Sequence, residues 1–202
     1  MAVKDMDAIG ENFSTGDVAD ERPVLAQSAL TLLKTDHGTV KELFEQVLSE
    51  ESSLLPGKRP IIDRILQELE LHAKLEETIF YPALKAKTKR DTEDRQQMLE
   101  AAEEHATVKD LIRKIKRTTG RDETLRAKVQ VLKELVEHHV QEEESEMFAE
   151  AERLLGDKRL MQLGAEIEKA KQRSSGRGRG TAAKKKSSAR GPAKPAAKRS
   201  KA

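Results

Sequence analysis

Apolar residues recur at intervals of three and four along four long segments of the chain, which is the spacing of helices that bury one face. A strong helix breaker, PGKRP at 56–60, separates the first two segments, and TTGRD at 118–122 separates the last two. Four long helices with short loops predict an all-α, antiparallel up-down-up-down four-helix bundle. The predicted helices cover about 25–51, 60–87, 92–118 and 125–156, and a short fifth helix follows at about 157–172.

The domain limits follow from where this periodicity starts and stops. Residues 1–22 show no apolar period and are expected to be disordered. The bundle is expected within 23–155 and the short C-terminal helix within 156–172, and a basic, disordered tail is expected over 173–202.

The second half of the predicted bundle repeats the first. DHGTVKELFEQV at 36–47 matches EHATVKDLIRKI at 104–115 at a shift of 68 residues. ELELHAKLEE at 68–77 matches LVEHHVQEEE at 135–144 at a shift of 67. The chain is therefore predicted to be a tandem αα-hairpin whose halves pack with pseudo-twofold symmetry.

Six polar residues occupy the apolar stripes, where core side chains are expected. The odd helices carry one histidine each, and the even helices carry a His-x-x-x-Glu pair on one face. Burying an ionised carboxylate without a partner is very costly, and no Lys or Arg shares these stripes. A bound metal resolves the conflict, and mixed nitrogen and oxygen donors suit iron or manganese better than a closed zinc site. The predicted metal ligands are His37, His72, Glu76, His105, His139 and Glu143.

Several residues beside the predicted ligands have two interpretations. Glu77 and Glu144 follow the two ligand glutamates, and each either hydrogen-bonds a ligand or faces the solvent. His138 aligns with Leu71, off the ligand face, and is predicted to be a boundary or surface residue. Tyr81 is the only tyrosine, and it is predicted to pack in the core rather than to relay protons.

Composition narrows the chemistry further. The 202 residues contain no cysteine, which excludes disulfides, zinc–thiolate sites, iron–sulfur ligation and thiol catalysis. No apolar run approaches the roughly 18 residues of a membrane span. The first residues, MAVKDMDAIGENFSTGD, are acidic and lack the apolar core of a signal peptide, so we expect a cytoplasmic protein without a membrane partner.

The predicted tail differs in charge from the rest of the chain. Residues 173–202 hold eleven Lys and Arg and no Asp or Glu, whereas residues 1–172 hold 27 basic and 36 acidic residues, a net charge of −9. Such a tail neutralises phosphates without reading sequence, which predicts contact with DNA or RNA and association with the nucleoid. A solubilising tail, or one that folds back on the acidic body, is the alternative. The predicted nucleic-acid-binding residues are Arg177, Arg179, Lys184, Lys185, Lys186, Arg190, Lys194, Lys198, Arg199 and Lys201.

The metal-ligand motifs resemble those of the hemerythrin-like, HHE cation-binding family over roughly 30–152. The resemblance is carried by His37, by His105, and by the motifs HAKLE at 72–76 and HVQEE at 139–143. It implies a non-haem centre of two iron ions inside a four-helix bundle, with the two glutamates as bridges. Manganese or zinc are the alternative metals.

The chain departs from the oxygen-carrying members of that family. They have a second histidine one turn after the third-helix histidine, where this chain has Lys109, and an aspartate where it has Glu144. The symmetrical set of four His and two Glu is more similar to the di-iron proteins linked to iron-centre repair and to nitric oxide or peroxide stress. Reversible oxygen transport is therefore not implied.

Two functions from different classes are compatible with these features. The first is a di-iron protein that interacts with oxygen, peroxide or nitric oxide in stress response or iron handling, held near DNA by its tail. The second is a nucleic-acid-associated architectural protein whose metal is structural or regulatory. A bundle with vestigial ligands is a third. No catalytic residue is assigned, and enzyme activity is left open.

Overall fold

Helices account for most of the chain that the computed structural model describes, namely residues 27–49, 55, 57–90 and 92–181, with side chains to residue 175. Two five-residue π-helical turns, Glu76–Phe80 and Glu143–Met147, join α2 to α3 and α5 to α6, so each pair forms one helical element. The helices are α1 (Ala29–Leu48), α2 (Arg59–Leu75), α3 (Tyr81–Lys85), α4 (Glu93–Arg117), α5 (Thr124–Glu142) and α6 (Phe148–Thr181). None of the helices in these ranges is long and apolar enough to cross a membrane.

These elements confirm the predicted four-helix bundle. α1 and α4 each pack between α2 and α5, so the four bundle helices close into a ring. The ends of the helices have local causes: Ser28 Oγ accepts a hydrogen bond from the Thr31 amide at 3.2 Å and caps α1. Pro60 lies in the first turn of α2, where its missing N–H costs nothing. Gly57, just before α2, has φ 72°, which favours glycine.

Two apolar clusters fill the bundle, and a polar layer lies between them. Along α1, Leu33 belongs to one cluster and Val40 to the other, with His37 between them. Along the element formed by α2, its π-helical turn and α3, Leu69 belongs to one cluster and Phe80 to the other, with His72 and Glu76 between them. The polar layer is therefore closed off from water at both ends by packed side chains.

A break at Gly156 turns the chain back onto α1. Gly156 has φ 66° and ψ 164°, a combination that is essentially restricted to glycine. The following segment, 157–181, which we call the C-terminal helix, buries Leu160, Leu163 and Ile167 against the cluster that includes the start of α1. The C-terminal helix thus covers one flank of the bundle.

The predicted end of this helix was wrong. It was expected to stop at residue 172, but it continues to Thr181, so 173–181 are helical rather than part of the tail. Adding a residue to an existing helix costs far less than starting one, and the buried residues anchor the preceding turns. The glycines at 176, 178 and 180 are poor helix formers, so the local sequence predicted that the helix ends before them. The predicted disordered segment 1–22 and the tail beyond 181 lie outside the described residues.

Two glycine-to-alanine substitutions test how closely the C-terminal helix packs. A Cβ at Gly164 would overlap the carbonyl oxygen of Gln27, whereas a Cβ at Gly38 in α1 meets open space. Gly164→Ala should lower the free energy of unfolding by about 1–3 kcal/mol through overpacking. Gly38→Ala should raise it by about 0.5–1 kcal/mol, because alanine is the better helix former. Urea denaturation of the metal-free protein measures both, and stabilisation by Gly164→Ala would contradict the packing described here.

Candidate metal centre

The structure brings all six predicted ligands together in the polar layer, and each is at most 8% exposed. The imidazoles form two pairs. The Nε2 atoms of His37 and His72 lie 3.1 Å apart, and those of His105 and His139 lie 3.2 Å apart. One pair joins α1 to α2 and the other joins α4 to α5, so each half of the repeat contributes one pair. Their role as metal ligands remains a prediction.

Glu76 lies between the two imidazole pairs. Its Oε1 is 3.0 Å from His72 Nε2, and its Oε2 is 3.2 Å from His105 Nε2. Glu143 approaches from the opposite helix, with Oε2 at 3.4 Å from His37 Nε2 and 3.9 Å from His139 Nε2. Each carboxylate therefore faces one imidazole of either pair.

The same atoms divide into two groups that could each hold an ion. Potential donor atoms of His37, His72, Glu76 and Glu143 lie within 4.8 Å of one another in the first group. Glu76, His105 and His139 form the second on the same criterion. Glu76 is common to both groups, as a bridging carboxylate would be.

The carboxylates lack the hydrogen bonds that buried oxygens normally have. Glu76 Oε1 and Oε2 and Glu143 Oε2 are buried, and the imidazole contacts do not give them a hydrogen bond of acceptable geometry. An unsatisfied buried polar group costs about 1–3 kcal/mol, and more when it is charged. A cation among these oxygens and the four Nε2 atoms would remove that cost, so the residues fit a bound metal.

The two π-helical turns keep the ligands on the face of the core. His72, Glu76, Phe80 and Leu84 are all buried and are spaced by four residues throughout. In an α-helix each step of four overshoots a full turn by about 40°, so a row of this length would leave the core. A π-helical turn has more residues per turn and restores the alignment. The repeat shows the same pattern from His139 to Ala151, and this spacing was the overlooked signal for both turns.

An outer carboxylate supports the Nδ1 atom of each imidazole. Glu144 Oε1 lies 2.7 Å from His37 Nδ1, and Glu77 Oε1 lies 3.1 Å from His105 Nδ1. The open question about these two glutamates is thereby answered, because each contacts a predicted ligand from another helix. Such a contact places the proton on Nδ1 and leaves the Nε2 lone pair directed at the centre.

Asp36 and Glu104 complete the outer set, and sequence reasoning missed both. Glu104 Oε2 lies 2.8 Å from His139 Nδ1, and Asp36 Oδ2 lies 3.6 Å from His72 Nδ1, an ion-pair contact too long for a hydrogen bond. The signal was that an acid precedes the ligand histidine in both copies of the repeat. The four contacts form a cycle in which each bundle helix supports the imidazole of the next.

Two lysines hold outer carboxylates in turn. Lys109 Nζ lies 2.6 Å from Glu77 Oε2. Lys109 occupies the position of the second histidine of the oxygen carriers, and here it holds a carboxylate instead. Lys171 Nζ, on the C-terminal helix, lies 2.5 Å from Asp36 Oδ1. The C-terminal helix is thus linked to the metal centre through one carboxylate.

Charge is unevenly distributed in the metal-free site. Burial opposes protonation of His72, but the Glu76 carboxylate and the Asp36 contact outweigh it and raise the pKa of His72 to about 10. Burial, together with the charge of Glu76, raises the pKa of Glu143 to about 7. A metal ion must displace the proton of His72 in order to bind there, so metal binding is favoured by rising pH.

Tyr81 does more than the predicted packing. Its ring is buried beside Phe80, and its hydroxyl donates a hydrogen bond to Glu143 Oε1 at 3.3 Å. Burial raises its pKa well above the usual value, so the hydroxyl keeps its proton. The repeat has Phe148 at the equivalent position, so only one of the two central carboxylates can receive this bond.

The predicted nucleic-acid-binding residues are mostly outside the described part of the chain. The backbone of Arg177 and of Arg179 belongs to the last turns of α6. The remaining eight, from Lys184 to Lys201, lie outside the described residues.

Fold and site together define a class of protein, a four-helix bundle whose buried histidines and glutamates could hold a cation. The sequence profile of the hemerythrin HHE cation-binding domain matches residues 28–151, and the chain belongs to this family. Its structure is similar to the crystal structure of a hemerythrin HHE cation binding domain-containing protein from Mycobacterium kansasii. The TM-score is 0.64 at 25% sequence identity, over 79% of this chain and 94% of that chain. No curated protein sequence matches. The predicted family is confirmed.

Removing one outer carboxylate tests the cycle. Glu144→Gln keeps the shape of the side chain but replaces a charged acceptor of His37 Nδ1 with a neutral one. Metal affinity should fall by about 10–100-fold, because such partners orient the ligand and raise its basicity. Glu45→Gln, on the exposed face of α1, is the matched control and should leave affinity unchanged. Competition with a coloured chelator measures both, and equal affinities would show that the outer carboxylate has no such role.

Proposed function

We propose that this protein holds two iron ions between its six central residues and reacts there with oxygen, peroxide or nitric oxide. The observation that carries the proposal is the convergence of four imidazole Nε2 atoms and three carboxylate oxygens without hydrogen bonds at one buried place. Nitrogen and oxygen donors of this kind suit iron or manganese. Iron bound there would polarise a small molecule and exchange electrons with it.

The arrangement of the residues supports two ions rather than one. Glu76 presents one oxygen to each imidazole pair, so a single carboxylate can serve both positions. Glu143 has one oxygen near both pairs and the other held by the Tyr81 hydroxyl. Tyr81 therefore restricts Glu143 to one orientation and makes the two positions unequal.

A small cavity beside the imidazoles supports a small ligand. It has a volume of about 30 Å³ and touches all four histidines, and the rest of its lining is mainly apolar, including Val40, Val108 and Val136. A volume of this size accommodates about one water-sized molecule. A diatomic molecule or peroxide is of that size, whereas a larger organic substrate is not. The apolar lining also limits the water that can compete for the site.

Metal analysis combined with spectroscopy tests the proposal. Protein loaded with ferrous iron without oxygen should contain two irons per chain and should change its near-ultraviolet absorption when peroxide or oxygen is added, and again when a reductant follows. His72→Ala should lose iron and the absorption change, because His72 supplies a donor to the first group. Lys74→Ala, an exposed residue on the same helix, should behave as the unaltered chain does.

The alternative, an architectural protein with a structural metal, predicts a different result in the same experiment. A purely structural ion would stabilise the bundle by binding only the folded state. The spectrum would then not respond to oxidant or reductant, and removal of the metal would lower only the stability. That outcome would overturn the redox proposal.

The tail supports a second, separable part of the proposal, namely contact with DNA or RNA. Residues 173–202 contain eleven basic and no acidic residues, and eight of the eleven lie in the tail beyond 181, so this part of the chain can neutralise phosphates and release counterions. Deleting 182–202 leaves the described helices whole and should abolish retention of DNA at low salt, while the metal content stays the same. Retention by the full chain should weaken as salt rises. Equal retention by the truncated chain would overturn this part.

A further inference from the structure

An acidic cleft leads from the surface of α4 and α5 to the metal centre. Its volume is about 280 Å³, and it has neither Lys nor Arg among its lining residues. The buried residues His139 and Glu143 form its floor, and exposed side chains form its rim. A cleft lined by one sign of charge concentrates ions of the opposite sign. The glutamates that line it are Glu93, Glu100, Glu104, Glu142, Glu143 and Glu146.

The floor of the cleft contains a buried carboxylate oxygen without a hydrogen bond. Glu143 is 1% exposed, and its Oε2 has no hydrogen bond. Its other oxygen is already engaged by Tyr81. The acidic cleft therefore ends at a buried carboxylate oxygen that a cation would satisfy.

A second group of potential ligands lies nearer the surface. Donor atoms of Glu104, His138 and Glu142 lie within 4.8 Å of one another, and His138 Nε2 is 3.2 Å from Glu142 Oε1 and 3.9 Å from Glu104 Oε1. The other oxygen of Glu104 contacts His139 Nδ1. Glu104 thus links this outer group to the metal centre. His138 is exposed, as predicted, and Glu104 and Glu142 beside it make it a potential ligand despite its position off the ligand face.

The C-terminal helix covers the equivalent flank in the first half of the repeat. The counterparts of His138 and Glu142 are Leu71 and Leu75, which belong to the apolar cluster around the C-terminal helix. The counterpart of Glu104 is Asp36, which is paired with the Lys171 ammonium of that helix. The first half therefore has a lysine cation beside the outer carboxylate where the second half has an open cleft.

We propose that the group Glu104, His138 and Glu142 captures a divalent cation from solution and that the acidic cleft conducts it to His139 and Glu143. The two flanks thus differ: the α4–α5 side carries the acidic cleft, whereas the corresponding side of the first half carries Lys171 and apolar side chains. The inference rests on the proposed metal centre, because a cation that enters the cleft must bind there for the route to have a function. Ferrous ion is the chemical class of cargo, and cobalt(II) is a spectroscopic substitute for it with a similar preference for nitrogen and oxygen donors.

A charge reversal at the mouth tests the route. Glu142→Lys places an amine beside Glu104 and so reproduces on the open side the pairing that Lys171 makes on the closed side. Glu103→Lys makes the same charge change on an exposed residue of α4 outside the cleft. The measurement is the initial rate of cobalt(II) uptake by metal-free protein, followed by stopped-flow absorbance, with the final cobalt content determined on the same samples.

Glu142→Lys should slow uptake by about tenfold or more and leave the final content unchanged, because electrostatic focusing changes on-rates by factors of about 10–1,000. Uptake by the unaltered chain should slow as ionic strength rises, and Glu103→Lys should match the unaltered chain. His138→Gln, which removes the imidazole donor without introducing a charged side chain, should slow uptake at limiting cobalt; it decides the question if Glu142→Lys does not fold.

Two results would overturn the inference, and they are distinguishable. Equal uptake rates for Glu142→Lys, His138→Gln and Glu103→Lys would remove the route but leave the metal centre in place. No cobalt uptake by the unaltered chain would remove the centre and the route with it.

Discussion

The structure depends on two carboxylates that lie in the middle of a bundle and have too few hydrogen bonds. Glu76 and Glu143 are at most 1% exposed, and packed apolar side chains lie on both sides of their layer. Burial leaves them little water, so the neighbouring imidazoles, a proton on Glu143 or a bound cation must compensate their charge. Because the donors come from all four bundle helices, an ion that binds them favours the folded arrangement over every alternative.

The outer carboxylates extend this dependence around the ring. Asp36, Glu77, Glu104 and Glu144 each reach from one helix to the imidazole of the next, so the carboxylate beside the Nδ1 atom of each histidine comes from another helix. A shift of any helix therefore changes the donor geometry on its neighbour. Lys171 adds the C-terminal helix to the same network through Asp36, two contacts away from His72. Distant elements thus influence the site through fixed polar contacts.

The bundle and the convergence of the six residues were predictable because both depend on periodicity. A histidine or glutamate on an apolar stripe is visible in the sequence, and the repeat showed that the pattern was not accidental. The roles of Asp36 and Glu104 were not predictable in the same way, since they depend on which neighbour their side chains reach across a helix interface. The π-helical turns left a trace in the spacing of four from His72 to Leu84, which helix geometry explains only once the turns are known. The end of α6 was missed because helix propagation from a packed anchor outweighed the local preference of the glycines.

The two halves of the repeat have the same residues at the predicted ligand positions but different residues on the flanks beside them. The six central positions match in both copies, while Leu32, Leu71 and Leu75 stand opposite Glu100, His138 and Glu142. The apolar set packs against the C-terminal helix, whereas Glu100 and Glu142 line the acidic cleft and His138 lies beside Glu142. Covering the second flank as well would remove the acidic path to His139 and Glu143, and uncovering the first would expose Asp36 and the apolar side chains around it. One flank covered by the C-terminal helix and one that carries the proposed entry cleft give a physical reason for a symmetrical set of residues in an unsymmetrical bundle.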